Sequence, residues 1–233
     1  MIGVMIPAHD EEVCLGDCLQ AVLRAASHAG LRGEKVAVVV ALDACTDRSE
    51  EIAAAYPVTV LRVLARNVGI ARAAAAVHLL DAGAHWLACT DADTVVADDW
   101  LYQQLKLRDE NGADAVCGTV SVADWTPHLA RLQVVLQRFH ASYKDTDGHC
   151  HIHGANFGVS AQAYRRAGGF QALGCSEDVQ LVRALEASGA AIAWSNAPRV
   201  VTSARVESKA RGGFGDTLSA WGLQLPLGCE PAQ

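Results

Sequence analysis

The chain has 233 residues, 51% of them hydrophobic and 19% charged, which is enough apolar surface for a core that needs no disulfide or metal staple and which excludes intrinsic disorder. Its 19 Lys and Arg against 26 Asp and Glu give a formal charge of −7, so no basic stripe is on offer to a nucleic acid. The longest aliphatic run, Val36 to Leu42, is far short of the ~20 residues that cross a bilayer, and the N-terminal residues hold no basic, cleavable leader; the expectation is a cytoplasmic protein without a transmembrane anchor.

Short apolar runs alternate with longer helical patterns in the first half. Ile2 to Pro7, Lys35 to Leu42, Val58 to Val63, His85 to Thr90 and Ala113 to Val120 read as buried strands. Glu11 to His28, Asp47 to Tyr56, Gly69 to Asp81 and Asp98 to Asn111 read as the helices between them. The alternation predicts an α/β fold, with a mostly parallel sheet covered by helices on both faces. After Val120 the pattern changes: Leu129, Leu132, Leu136, Phe139 and Tyr143 recur at three or four residues and predict one amphipathic helix packed on the sheet. A strand is expected over His151 to Ser160, helices over Gln162 to Ala167 and Glu177 to Ala187, and an apolar segment over Ala190 to Trp194. Asn196 to Gly215, rich in Pro, Gly and Arg, reads as loop. No repeat, low-complexity tract or linker divides the chain, so one domain is expected, with residues 121–233 as a second half appended to 1–120.

The eight cysteines show no C-x-x-C spacing, and several lie in apolar runs, so they are expected to be reduced and structural. Ligands of parallel sheets bind at the C-terminal ends of the strands. That rule selects His9-Asp10-Glu11, Asp43 to Asp47, Arg66-Asn67 and Asp91-Ala92-Asp93. The last of these closes an apolar strand with D-x-D. Two carboxylates at i and i+2 share a side and supply hard oxygen ligands for Mg²⁺ or Mn²⁺, an ion that also binds a diphosphate; a solvated turn is the alternative. His149, His151 and His153 alternate on a predicted strand, a face that binds a transition metal or is merely structural. Arg205, Lys209 and Arg211 lead into Gly212-Gly213-Phe214-Gly215, a pattern suited either to a lid that closes over phosphates or to a solvated basic loop.

Met5-Ile6-Pro7-Ala8-His9-Asp10-Glu11-Glu12, Leu42-Asp43-Ala44-Cys45-Thr46-Asp47-Arg48-Ser49, Arg66 to Arg72, Asp91-Ala92-Asp93, Gly154-Ala155-Asn156-Phe157 and Ser176-Glu177-Asp178 follow one another across nearly the whole chain. In this order they resemble the family 2 glycosyltransferases. The resemblance implies a GT-A-type, Rossmann-like sandwich that takes a nucleotide-diphosphate sugar and transfers one sugar, with inversion, to an unidentified hydroxyl or amine acceptor. Residues 1–120 would then bind the nucleotide sugar and residues 121–233 the acceptor. Pro7, Ala8, His9, Glu11 and Asn67 would line the nucleotide pocket, Asp43 would contact the base with Arg72 near it, and Arg211 would face the phosphates. Asp91 would hold ribose or metal and Asp93 the metal. Asp178 would be the general base, with Glu177 as its substitute. Many members add a late histidine to the metal; Thr202-Ser203-Ala204-Arg205 has none, which leaves His151, His153 or water for that place, with His153 carried forward as the candidate ligand.

Blander roles exist for several of these. Pro7 can simply end a strand, Glu11 can favour a helix N-terminus, and Asp47 and the Ser176–Asp178 turn can cap helices. Asp91-Ala92-Asp93-Thr94-Val95 also fits a haloacid-dehalogenase-type phosphatase motif, but that motif follows a first strand and three strands precede it here. A non-catalytic nucleotide-sugar binder is the third possibility. The G-x-G-x-x-G, P-loop and Q-x-x-R-W motifs are absent, which removes dinucleotide, nucleoside-triphosphatase and processive polymerase chemistry.

Overall fold

Every residue of the first strand, β1 (Ile2–Ala8), is buried, because helices cover both of its sides. The computed structural model describes residues 1–206, 209 and 213–223. The other strands are β2 (Val36–Asp43), β3 (Thr59–Val63), β4 (Trp86–Cys89), β5 (Thr94–Val96), β6 (Ala115–Gly118), β7 (Ser121–Val122), β8 (Phe157–Ser160), β9 (Ile192–Ser195) and β10 (Val200–Thr202). The helices are α1 (Leu15–Ala26), α2 (Ser49–Ala54), α3 (Val68–Asp81), α4 (Trp100–Asn111), α5 (Leu132–Ser142), α6 (Ala161–Arg166), α7 (Glu177–Ala187) and α8 (Phe214–Gly222).

Seven strands form the main sheet in the order β3-β2-β1-β4-β8-β6-β9. All neighbouring pairs are parallel except those of β8, which runs antiparallel to both β4 and β6. The sheet is therefore continuous across residue 120, with a strand from the second half inserted between two from the first. The period-2 alternation of β1 sorts its side chains: Ile2, Val4 and Ile6 join α1 and α4 on one face, and Met5 joins α3, α6 and α7 on the other. Close approach on the second face depends on Gly3, where a β-carbon would lie 2.9 Å from Leu79 of α3. In α1, Leu15, Cys18, Leu19, Val22 and Ala25 form one buried stripe at helical spacing.

The expected strands and helices of the first half are present with trimmed ends. Three features of the second half differ from expectation. The helix anticipated over 129–143 is a 3-10 turn, Thr126–Arg131, followed by α5; Leu129 is 65% exposed, and Val135 and Phe139 are buried instead. It packs against α8 in a small separate cluster with Leu218 and Ala204, not on the main sheet. The strand over 151–160 begins only at Phe157; before it His151 stacks on Tyr143, and His149 and His153 stack on His151, rather than pairing in a ladder. The 196–215 loop contains β10, which forms a three-stranded sheet of order β5-β10-β7. Each of the seven described cysteines is unbridged. Among the described residues no helix is long and apolar enough to cross a membrane.

Candidate active site

Because β1, β2, β3 and β4 are parallel, the turns that follow them open on one edge of the sheet. There a cleft of about 720 Å³ is lined by Pro7, Ala8, His9, Glu11, Asp43, Asn67, Arg72, Asp91, Asp93, His153, Glu177 and Asp178. All of the anticipated site residues among the described ones thus meet at one place; Arg211 lies outside the described residues. Of the five non-glycine residues with positive φ, Arg66 and Ser176 line this cleft, and Asp10 and Ala44 adjoin its lining residues His9, Glu11 and Asp43 in the chain. Backbone strain of this kind collects at binding and catalytic turns.

Asp43 ends β2 and organises the neighbouring loop. Its Oδ1 accepts the backbone N–H groups of Ala65 and Arg66, both at 2.8 Å, and its Oδ2 that of Asn67 at 2.6 Å. Asn67 then caps α3 through Oδ1, which accepts the Ile70 N–H at 3.0 Å. His9 Nδ1 donates to the Asp43 carbonyl oxygen at 2.7 Å. The Asp43 carboxylate thus shapes the pocket wall.

The D-x-D residues lie beyond β4 in a turn closed by Thr94 N–H donating to Asp91 O at 3.1 Å. This turn, not strand pleating, puts both carboxylates in the cleft, with Ala92 buried between them. Each carboxylate is bound to an arginine. Arg72, 3% exposed, links Asp91 to Glu177 through its two terminal nitrogens and lies 5.7 Å from the centre of the Phe170 ring. It passes beside Gly154, where any β-carbon would fall on its guanidinium. Arg205 Nη1 and Nη2 hold both oxygens of Glu11, at 2.8 and 2.9 Å, and Nη2 also reaches Asp93 Oδ2 at 2.7 Å. Burial pushes the Asp93 carboxyl up to about 6 against the pull of Arg205, and it raises that of Glu177 against the pull of Arg72.

Asp178 opens α7. Its Oδ2 accepts the Gly154 N–H at 2.7 Å and its Oδ1 the N–H of Val179 at 2.8 Å. Ser176 makes no side-chain cap, so Asp178 is held at the cleft by the Gly154 loop and its own helix turn. His153 is half-buried and its imidazole is pulled down to about 3, mainly by desolvation. Its Nε2 lies 3.0 Å from the Tyr143 hydroxyl, which itself accepts the Val120 N–H at 2.6 Å. That nitrogen is paired with Tyr143 in this structure.

The donor set fits a hard divalent ion. Asp91 and Asp93 each retain one carboxylate oxygen not bound to an arginine, and Mg²⁺ or Mn²⁺ is commonly held by two carboxylates with phosphate oxygens and water completing the shell. Among the described residues, the three potential ligand groups already converged are Asp10, Cys45 and Asp47 on a neighbouring loop. Their carboxylates are taken by the backbone N–H groups of Thr46, Glu12 and Ser49, at 2.6, 2.8 and 2.9 Å, which makes this a loop brace.

Arg205 was not singled out as a site residue from the sequence, beyond its membership of a basic loop. The signal that marks it is the β-branched run Val200-Val201-Thr202 just before it, too short to read as a strand until its partners are known. The phosphatase alternative finds no support, since the D-x-D strand is the fourth in the chain and Asp91 is bound to a buried arginine.

Several solved structures share the architecture. S. aureus TarS residues 1–349 in complex with UDP-GlcNAc superimposes with a TM-score of 0.65 at 14% identity, covering 91% of this chain and 61% of that one. A mannosyltransferase from Pyrobaculum calidifontis in complex with GDP-Man and Mn²⁺ gives 0.62 at 20% identity, covering 91% and 58%. M. tuberculosis glucosyl-3-phosphoglycerate synthase with Mn²⁺, UDP and glucosyl-3-phosphoglycerate gives 0.56 at 17%, covering 95% and 76%. The chain thus spans about three fifths of the length of the first two, and these likenesses establish a GT-A-type fold. No curated protein is a recognisable sequence relative. The profile of the Glycosyl transferase family 2 matches residues 3–168, well over half of the chain, and the chain belongs to that family.

Proposed function

We propose that the chain transfers a single sugar, with inversion, from a nucleoside-diphosphate sugar to a hydroxyl or amine acceptor, with a divalent cation at Asp91 and Asp93. The observation that carries this reading is the convergence of Asp91, Asp93 and Asp178 on one cleft at the C-terminal edge of the parallel strands. The nucleotide sugars and Mn²⁺ held by neighbours of the same fold support it.

Charge supports the cation. The described lining includes six carboxylates, of Glu11, Asp43, Asp91, Asp93, Glu177 and Asp178, against four arginine or lysine side chains, so an anionic diphosphate meets an excess of negative charge. When bound, Mg²⁺ or Mn²⁺ supplies the compensating charge on the departing diphosphate. Residues 1–120 contribute the donor side, with Pro7, Ala8, His9, Glu11 and Asn67 lining it and Asp43 holding its wall. Residues after 120 contribute the acceptor side, where Tyr143, His151, Phe214 and Trp221 reach the cleft.

Asp178 is the group placed to take the acceptor proton. As the acceptor oxygen or nitrogen bonds to the anomeric carbon, the carbon–oxygen bond to the diphosphate breaks, its electron pair leaves with the nucleotide, and the acceptor proton passes to an Asp178 carboxylate oxygen. Each of those oxygens keeps a lone pair beyond the backbone N–H that it already accepts. Glu177 is unsuited to the same task because Arg72 holds it.

The test is a thermal-stability series with UDP and GDP, with and without Mn²⁺, followed by nucleotide release from the matching sugar donors. One nucleotide should stabilise the parent only with Mn²⁺. Asp93→Asn should lose that shift, while Asp178→Asn should keep it and release nucleotide about 10²-fold more slowly. A metal-independent shift, or an Asp178→Asn enzyme as fast as the parent, would overturn the assignment.

A further inference from the structure

Arg205 occupies an unusual place for a cation in a cleft assigned to metal chemistry. It comes from the far end of the chain, 194 residues from Glu11, and closes a fork on both oxygens of that carboxylate while touching Asp93 Oδ2. Its backbone is fixed from behind: Thr202 pairs with Thr94 in the β10–β5 ladder, and Ala204 is 2% exposed in the cluster between α5 and α8. Arg205 N–H bonds only locally, to Ser203 Oγ at 3.2 Å. The guanidinium, at the end of a long flexible side chain and one-fifth exposed, can therefore change partners without any strand or helix moving.

We propose that Arg205 is a diphosphate-binding residue which, in the donor-free protein, holds the cation position at Asp93 closed, and which exchanges its carboxylate partners for the donor's phosphates as the metal enters. This rests on the reading of Asp91 and Asp93 as the cation site. The argument is one of competing charges. A divalent ion on either oxygen of Asp93 would stand close to the guanidinium held at Oδ2, and the two positive centres repel. A diphosphate resolves the competition. Its planar pairs of oxygens match the arginine fork as well as a carboxylate does, and its charge attracts both the guanidinium and the metal. Arg205 stays protonated throughout, and only its partners change.

Metal and diphosphate then bind cooperatively through one side chain, and each is held weakly without the other. Lysine is a poor substitute, because a point charge can leave Asp93 closed but cannot fork onto two phosphate oxygens.

The experiment titrates Mn²⁺ alone, followed by its electron paramagnetic resonance signal, and then pyrophosphate at saturating Mn²⁺, followed by calorimetry. The proteins are the parent chain of 233 residues, Arg205→Gln, Arg205→Lys and Asp93→Asn. Arg205→Gln is expected to bind Mn²⁺ alone about 10-fold more tightly than the parent and pyrophosphate about 10-fold more weakly, so the coupling between them falls. Arg205→Lys is expected to bind Mn²⁺ alone as weakly as the parent while also losing pyrophosphate affinity, and it retains a charge opposite Glu11 if the glutamine variant folds poorly. Unchanged or weaker Mn²⁺ binding by Arg205→Gln, or pyrophosphate binding by both variants equal to the parent, overturns the role of Arg205. Equal Mn²⁺ binding by the parent and Asp93→Asn in the presence of pyrophosphate instead overturns the cation site itself.

Discussion

Arg72 holds Asp91 and Glu177 at the floor of the cleft, while Arg205 holds Glu11 and Asp93 nearer its mouth. The two arginines differ in burial, and this separates their consequences. Arg72 is almost wholly enclosed, with its Nε buried and without a partner, so its two ion pairs carry the desolvation of three charged groups. Removing it strands Glu177, which is 5% exposed, and leaves Asp91 to solvent. Arg72→Met is therefore expected to lower stability by about 3–5 kcal/mol, read from the urea midpoint at constant slope. Adding Glu177→Leu should return most of that loss, since the stranded carboxylate goes with it. A loss under about 1 kcal/mol for Arg72→Met would mean that Glu177 finds water or a proton at little cost. At this scale the sequence was informative about which residues gather and uninformative about how they pair. Arg72 was expected near the nucleotide base, and the structure shows it engaged with two carboxylates that lie 19 and 105 residues away.

The element that delivers Arg205 is the small sheet β5-β10-β7, whose strands have only two or three residues each. Strands so short gain little from intrinsic propensity; their pairing and what anchors them decide whether they form. Asn156 is the anchor. Its Nδ2 donates to Thr119 O at 2.7 Å and Pro198 O at 2.8 Å, and its Oδ1 accepts from Trp100 Nε1 at 2.9 Å, which ties the segment before β10 to α4 and to the end of β6. Gly118 leaves room for this carboxamide, because a β-carbon there would overlap it. Asn156→Ala leaves two carbonyls and an indole N–H without partners in the interior, and should cost about 3 kcal/mol. Amide exchange measured by mass spectrometry should quicken over 198–206 in that variant. Exchange confined to the 156 loop would show that β10 is held by its ladder alone. The first-half elements were legible because the strands are long, alternate cleanly and are separated by helices with one apolar stripe. The helix α8 and the strand β10 were not, because neither has a local pattern that distinguishes it from a loop.

Across the whole molecule, second-half residues complete a site whose frame is first-half sheet, and acid tests that union. His153 sits between the two, bound to Tyr143, with His151 and His149 adding to the desolvation that lowers its pKa and Asp91 opposing them. Folded His153 takes its proton only near pH 3, whereas the ordinary value is 6.5, so the unfolded chain holds more protons everywhere in between. The stability it contributes is present above pH 6.5 and is lost as pH falls through that window, by about 2 kcal/mol between 6.5 and 5. Urea midpoints at pH 7 and pH 5 should show the fall, and His153→Gln should flatten it; an equally steep fall in the variant would assign acid sensitivity elsewhere. By itself the sequence determined the class of fold, the edge of the sheet where ligands gather and the six carboxylates described there, because hydrophobic periodicity and strand-end position are local properties written within a dozen residues. Only the tertiary structure decided which carboxylate faces which arginine, that Asp43 braces a loop, that His153 pairs with Tyr143, and that Arg205 stands at Asp93. Those pairings join groups up to 194 residues apart, and their energies exist only once burial has removed water from between them.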